Sequence, residues 1–358
     1  MENRKIRVAI THGDTNGIGY EIILKAFEDN GMLEMCTPII YGNPKIATYH
    51  RNTLQLETPF SIINKAEDAH PDKLNLLAAF DEEVKVALGS PTPESAEAAR
   101  KALQRAKEDL KNGLYDVLVQ APVVPSRTPD LDDKSLLIMF ADDIRIALAT
   151  NHLPLKDVAA SITADKLVGK CRLLHTALKR DFRINNPRIA VLALNPQLGT
   201  EEENIIKPAL KTIEESGIQV YGPYTADEFF GNGLHYSFDG TLAMYDDQGN
   251  VPFKTLATEY GVKMKTGFPF VITTPDHDPC FDIAGKGIAD PASLRHAIYA
   301  AIDIFRNRIN YDEPLANPLP KLYHEKREDS EKARFAIRAK DQFKREDKAP
   351  QDDKTENE

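Results

Sequence analysis

Residues 6–30 read IRVAITHGDTNGIGYEIILKAFEDN. An apolar β-rich run, Ile6 to Thr11, is followed by a glycine-bearing polar loop. A helical pattern over Gly17 to Asn30 comes next, with Gly31 as its stop signal. A strand feeding a helix through a glycine loop is half of a βαβ unit. The same alternation recurs along the chain. Pro38 to Tyr41 reads as a second strand. Thr92 and Pro93 are an N-cap and first-turn pair, after which Ala96, Ala99, Leu103, Ala106 and Leu110 fall at steps of three and four, and Asn112-Gly113 closes that helix. Val117 to Ala121 and Ile144 to Thr150 are strands. Leu167, Cys171, Leu174 and Leu178 stripe a helix. Arg188 to Leu194 is an apolar strand, and residues 201–216 form a helix closed by Gly217. Further strands are expected at Ile218 to Tyr221, Thr241 to Tyr245 and Phe268 to Thr273, with a last helix over Pro291 to Arg308.

Apolar strands separated by helices predict an α/β fold with mostly parallel sheets and helices on both faces. Ligands of such sheets sit at the carboxyl ends of the strands. The loops after Ile10, Ala121, Thr150, Leu194, Tyr245 and Thr273 are therefore where function is expected.

The 358 residues suit two domains or one large α/β unit, and 42% hydrophobic with 28% charged content is that of an ordinary globular chain. A net charge of −10 disfavours nucleic acid, which needs a basic face, but not a small phosphorylated molecule. The three cysteines, Cys36, Cys171 and Cys280, form no CxxC pair, which fits neither a disulfide framework nor a thiolate zinc site and suits a reducing cytoplasm. No secretory leader and no bilayer-spanning run is visible. From residue 324 onward the chain is dense in charge and poor in apolar residues, which predicts a solvated tail.

Taken alone, the loop at Gly13, Asp14 and Gly17 could approach an anion through backbone N–H groups or be a plain turn. Six segments in order make a resemblance specific. They are THGDTNGIGYE (11–21), LATNHLPL (148–155), ALNP (193–196), GPYTAD (222–227), LAMYDDQG (242–249) and TTPDHDPCFDIAGKG (273–287). They resemble TxGDxxGIGxE, LATxHxPL, GLNPHAG, GPxPAD, LAMYHDQG and TSxxHGTAxxxAGKG of the 4-hydroxythreonine-4-phosphate dehydrogenase family, the enzymes of pyridoxal phosphate biosynthesis. The likeness covers residues 5–315.

The resemblance implies two α/β lobes like those of isocitrate and isopropylmalate dehydrogenases, here 1–128 plus 288–318 and 129–287, with 319–358 as tail. It implies a homodimer, a small anionic substrate, NAD or NADP, and a divalent metal that polarises the substrate hydroxyl before decarboxylation. Carried over residue by residue, the metal positions are His152, Gln197 and Asp246. The last two stand where the family has histidine, which predicts a weakened site suited to magnesium or manganese more than zinc. Lys254, Asp227 and Asp247 match catalytic positions. Gly13, Asp14, Gly17, Asn195 and His277 match substrate or cofactor positions. The family's GHTE motif is missing after Pro122, with Arg127 or Lys134 as substitute phosphate donors. Its GVN asparagine is Lys263, its arginine before TS is Ile272, and its HGTA turn is His277 to Cys280. The expected function is NAD(P)-dependent oxidative decarboxylation of a phosphorylated hydroxy amino acid. A dehydrogenase of altered substrate and a catalytically inactive, binding or regulatory paralogue are the alternatives.

Overall fold

A computed structural model describes residues 4–124, 134–257 and 260–318. Arg127 and the tail from 319 lie outside the described residues. The strands are β1 Ile6–Thr11, β2 Cys36–Gly42, β3 Ser61–Ile63, β4 Asn75–Ala78, β5 Val117–Gln120, β6 Leu136–Ala141, β7 Ile144–Leu148, β8 Ile189–Leu192, β9 Val220–Tyr224, β10 Gly240–Ala243, β11 Val262–Thr266 and β12 Val271–Pro275. They form one sheet in the order β3-β4-β2-β1-β5-β12-β11-β6-β7-β10-β8-β9. The fold is α/β. Strands β3 to β12 of the first half are mutually parallel, as are β7, β10, β8 and β9 of the second.

Between the halves, β11 is antiparallel to both β12 and β6, and β6 is antiparallel to β7. Three reversals therefore turn the two parallel halves in opposite directions along one sheet. Neither β6 nor β11 was expected from the sequence. The unit ending at Asp312 holds every strand. Among the described residues no helix is long and apolar enough to cross a membrane.

Why the strands lie inside follows from their composition. β2, CTPIIYG, is buried at every position, as a strand covered on both faces must be. The helix Pro93–Lys111 starts where the sequence placed it. Thr92 Oγ1 accepts the Ser95 N–H at 3.1 Å and Ser95 Oγ accepts the Thr92 N–H at 3.2 Å, a reciprocal cap. Its buried face is Ser95, Ala98, Ala102, Ala106, Asp109 and Leu110. The expected stripe thus holds only at Ala106 and Leu110, the buried face turning to Ser95, Ala98 and Ala102 in the first half of the helix. Ala96, Ala99 and Leu103 line a groove instead.

The first helix is Gly19–Ala26, and Gly31 opens a further turn, Gly31–Met35, rather than marking a stop. Asp29 Oδ1 accepts the Gly31 N–H at 2.9 Å and holds that restart. The helix from Ala292 packs through Leu294, Ala297, Ile298, Ala301 and Ile302. Near its far end Arg308 forks onto Asp181 at 2.7 and 3.0 Å, both side chains almost fully buried.

Candidate active site

The opposed halves put both sets of strand carboxyl ends around one cavity of about 280 Å³. Gln120 to Val123 enter after β5, and Pro275, His277 and Asp278 at or after the end of β12. Asn151 and His152 follow β7. Asp246, Asn250 and Lys254 come from the helix Asp246–Leu256 after β10. The floor is one face of the central strands. Leu137 pairs with Lys265 across β6 and β11, Lys265 with Ile272 and Lys263 with Thr274 across β11 and β12. Cross-strand partners share a face, and Leu137, Lys263, Lys265 and Thr274 all line the cavity.

Three lysines therefore reach this space. Lys263 is neutralised by Asp276, whose Oδ1 lies 2.5 Å from its Nζ. Burial, and then the like charge of Lys107, push the Lys265 amine below its ordinary value. Lys254 is exposed and also lines an adjoining cavity of about 350 Å³. His277 stands on the wall that the two spaces share. Its Nδ1 faces the Asp278 carbonyl at 3.0 Å, which can only accept, so the ring proton is on Nδ1. Nε2 then accepts from the Ser293 hydroxyl at 2.8 Å. Burial, outweighing the Asp278 carbonyl, lowers its pKa and keeps it neutral.

His152 takes the left-handed region, φ +55°, immediately after Asn151. Its N–H donates to Asp246 Oδ2, and Asp246 Oδ1 accepts from Asn250 at 3.3 Å. The structure thus brings His152, Asp246, Lys254 and His277 to one cavity. Gln197 is exposed on the loop after β8 and does not line it. Asp247 and Asp227, in the first turns of their helices, are exposed and do not line it either. Asn195 caps its own loop. Glu202, fully buried, accepts the N–H groups of Leu194 and Asn195 at 2.9 Å, that of Gly199 at 2.7 Å, and Asn195 Nδ2.

Gly13, Asp14 and Gly17 serve the scaffold beneath the site. Gly13 has φ +73°, and a Cβ there would meet the Pro122 carbonyl oxygen at 2.4 Å. The Asp14 N–H donates to that oxygen at 3.0 Å. A Cβ on Gly17 would lie 2.7 Å from the Pro279 carbonyl oxygen. The first loop is thereby pressed against both loops that carry the cavity wall. Gln248 and Gly249 of the DDQG segment do similar work. Gln248 bridges the Met244 N–H and the Ala193 carbonyl, each at 2.7 Å, and a Cβ on Gly249 would strike Leu148 at 2.5 Å.

Sequence reasoning gave no role to Lys265, Asn151, Asn250 or Ser293. The alternation VKMKT at 262–266 was the available signal for a strand with both lysines on one face. Asn151 Oδ1 is buried with no hydrogen-bond partner among the described residues.

A metal ion implied by the resemblance would need three convergent donors. Here His152 and Asp246 line one cavity but touch only through the His152 backbone N–H, Gln197 stands outside it, and among the described residues no group of three His, Cys, Asp or Glu side chains gathers to hold an ion. The residues present do not fit a three-ligand centre, and no chemical step is derived through one.

An α/β sheet whose strand ends enclose a lysine-rich cavity beside a second cavity defines a small-molecule site of the α/β enzyme type. The family model described as pyridoxal phosphate biosynthetic protein PdxA matches residues 34–301, and the chain belongs to this family. It is 48% identical to 4-hydroxythreonine-4-phosphate dehydrogenase of Bacteroides thetaiotaomicron over 94% of this chain and 98% of that one. The enzyme of the same name from Sulfurihydrogenibium sp. is 34% identical over 85% of this chain and 99% of its own. A crystal structure of a 4-hydroxythreonine-4-phosphate dehydrogenase from Burkholderia phymatum superposes with TM-score 0.67 at 26% identity, covering 84% of this chain and 99% of that one.

Proposed function

We propose that this chain is an NAD(P)-dependent dehydrogenase of the 4-hydroxythreonine-4-phosphate type, taking a small phosphorylated hydroxy acid in the lysine-lined cavity and the dinucleotide in the adjoining one. The observation that carries the reading is the shared wall, where Lys254 and His277 face both spaces. Hydride transfer requires the substrate carbinol and the nicotinamide to meet, and two cavities meeting at one wall permit that. A dinucleotide held beside Lys254 and His277 would supply the acceptor for the carbinol hydride, the hydroxyl proton going to a base. A carboxylate β to the resulting ketone would leave as carbon dioxide, its C–C electron pair staying on the α-carbon as an enolate that takes up a proton.

Of the expected catalytic groups the proposal places Lys254 against the substrate, since it reaches the cavity and Asp227 and Asp247 do not line it. Neutral His277, held by Ser293, orients the wall. His152 and Asp246 bound the far side of the cavity. A two-donor metal contact there would be weak.

The test is a thermal-shift and absorbance pair. NAD or NADP, and separately a phosphorylated hydroxy acid, should raise the melting temperature, and the two together should generate reduced dinucleotide. A second reading is favoured by the position of Gln197 outside the cavity: a family member that binds these ligands without turning them over. Melting shifts with no reduced dinucleotide would select it, and absence of any shift would remove both readings.

A further inference from the structure

Lys265 sits mid-strand on β11 between two apolar neighbours of its own face, Leu137 on β6 and Ile272 on β12. Both neighbours are almost fully buried. Its side chain stands between these apolar neighbours and lines the cavity, a disposition that suits a lysine at an apolar margin. Two residues earlier Lys263 has its carboxylate, Asp276. Among the described residues Lys265 has none, and the charge it feels is Lys107, of the same sign. A half-buried ammonium flanked by apolar side chains and repelled by a second lysine is costly unless an anion completes it. Of the two acids that line the cavity, Asp246 already accepts from the His152 backbone N–H and from Asn250, and Asp278 forms no ion pair with Lys265 among the described residues. Lys265 therefore lines the cavity with no carboxylate paired to it among the described residues.

We propose that Lys265 is the contact that holds the phosphate of the substrate. The inference rests on the cavity being the substrate site, and it adds the group that selects a phosphorylated ligand over an unphosphorylated one. The position across the ladder from Lys265 is Ile272, which can donate nothing. The ammonium donates charge-assisted hydrogen bonds to the phosphate oxygens, and no other residue of the floor is both cationic and free of a carboxylate.

The experiment titrates inorganic phosphate by calorimetry into the full chain and into Lys265→Met, Lys265→Arg and Lys211→Met, the last an exposed lysine on the helix Lys207–Glu215 that reports any effect of net charge. Lys265→Met should bind phosphate about tenfold or more weakly, the size of one lost charge-assisted bond, with Lys265→Arg keeping most of the affinity and Lys211→Met all of it. The affinity of the parent chain should also fall at alkaline pH as Lys265 loses its proton, a limb absent from Lys265→Met. Should the methionine variant fail to fold, Lys265→Gln and the pH limb of the parent chain carry the comparison. Unchanged phosphate affinity in a folded Lys265→Met or Lys265→Gln overturns the assignment while leaving the cavity reading intact. A parent chain that binds neither phosphate nor a phosphorylated hydroxy acid overturns the cavity reading and this inference with it.

Discussion

His12 shows how a single side chain records the demands of the fold. It follows β1 directly, is fully buried, and stacks on Tyr20 at 5.1 Å. Neither ring nitrogen has a hydrogen-bond partner among the described residues. Burial lowers its pKa to about 3. The folded chain thus binds fewer protons than the unfolded chain between pH 6.5 and about 3. Stability contributed by this group is full above pH 6.5 and is lost as the pH falls through that window, by at most about 1.4 kcal/mol per unit. Urea unfolding between pH 4 and 7 should show this acid limb, and His12→Phe should flatten it. An equal slope in both proteins would contradict the account. At the same scale, an Asp246 carboxylate engaged by the His152 backbone N–H and an outlying Gln197 predict weak zinc retention. Metal analysis after dialysis should find well under one zinc per chain, whereas a tightly held stoichiometric zinc would require donors that the described residues do not gather.

At the level of elements, the parallel halves were legible because their strands are locally apolar and their helices carry their own caps, as Thr92 and Pro93 do. The centre was not. β6 and β11 each pair with a neighbour in the chain and with each other across more than a hundred residues, and VKMKT carries lysines where a buried strand would carry valines. The site was legible to the same degree. His152, Asp246, Lys254 and His277 follow strand ends that sequence motifs mark, whereas Lys265 stands inside a strand that only the short alternation VKMKT signals. Gly17 is open to reading as part of an anion loop or of a plain turn, and its backbone lies close against Pro279. Gly17→Ala should destabilise by about 1–3 kcal/mol through overpacking. The added carbon meets backbone of Pro279, which cannot swing away as a side-chain end would. Since Pro279 lies two residues after His277, the variant should also weaken dinucleotide binding. Unchanged stability and binding would show that the two loops are not pressed together. The Arg308 and Asp181 pair makes a different element-scale prediction. Arg308→Met leaves a buried carboxylate alone and should cost about 3–5 kcal/mol, while a double change to apolar residues should recover much of it.

On the scale of the molecule, apolar side chains stand exposed where the second half ends its strands. Leu153 and Leu155 follow β7, Val251 follows β10 and Leu198 follows β8, three strands adjacent in the sheet. Leu155 is 71% exposed and Val251 60%. Clustered exposure of this kind along one edge marks an interaction surface more often than chance scatter does. A second copy of the chain is the occupant that the family resemblance implies, and a two-fold contact would place the same edge of each copy face to face. A specific interface needs about 800 Å² from each partner, which four such side chains and their surroundings can supply only if the edges meet along their length. Light scattering at micromolar concentration should therefore give twice the chain mass of 40.0 kDa. Leu155→Glu combined with Val251→Glu should return the mass of one chain without lowering the melting temperature by more than the loss of association explains. If the double variant stays dimeric, the interface lies elsewhere. If the parent chain is monomeric, the exposed edge is left without this partner, and the cavity it adjoins must work within a single copy.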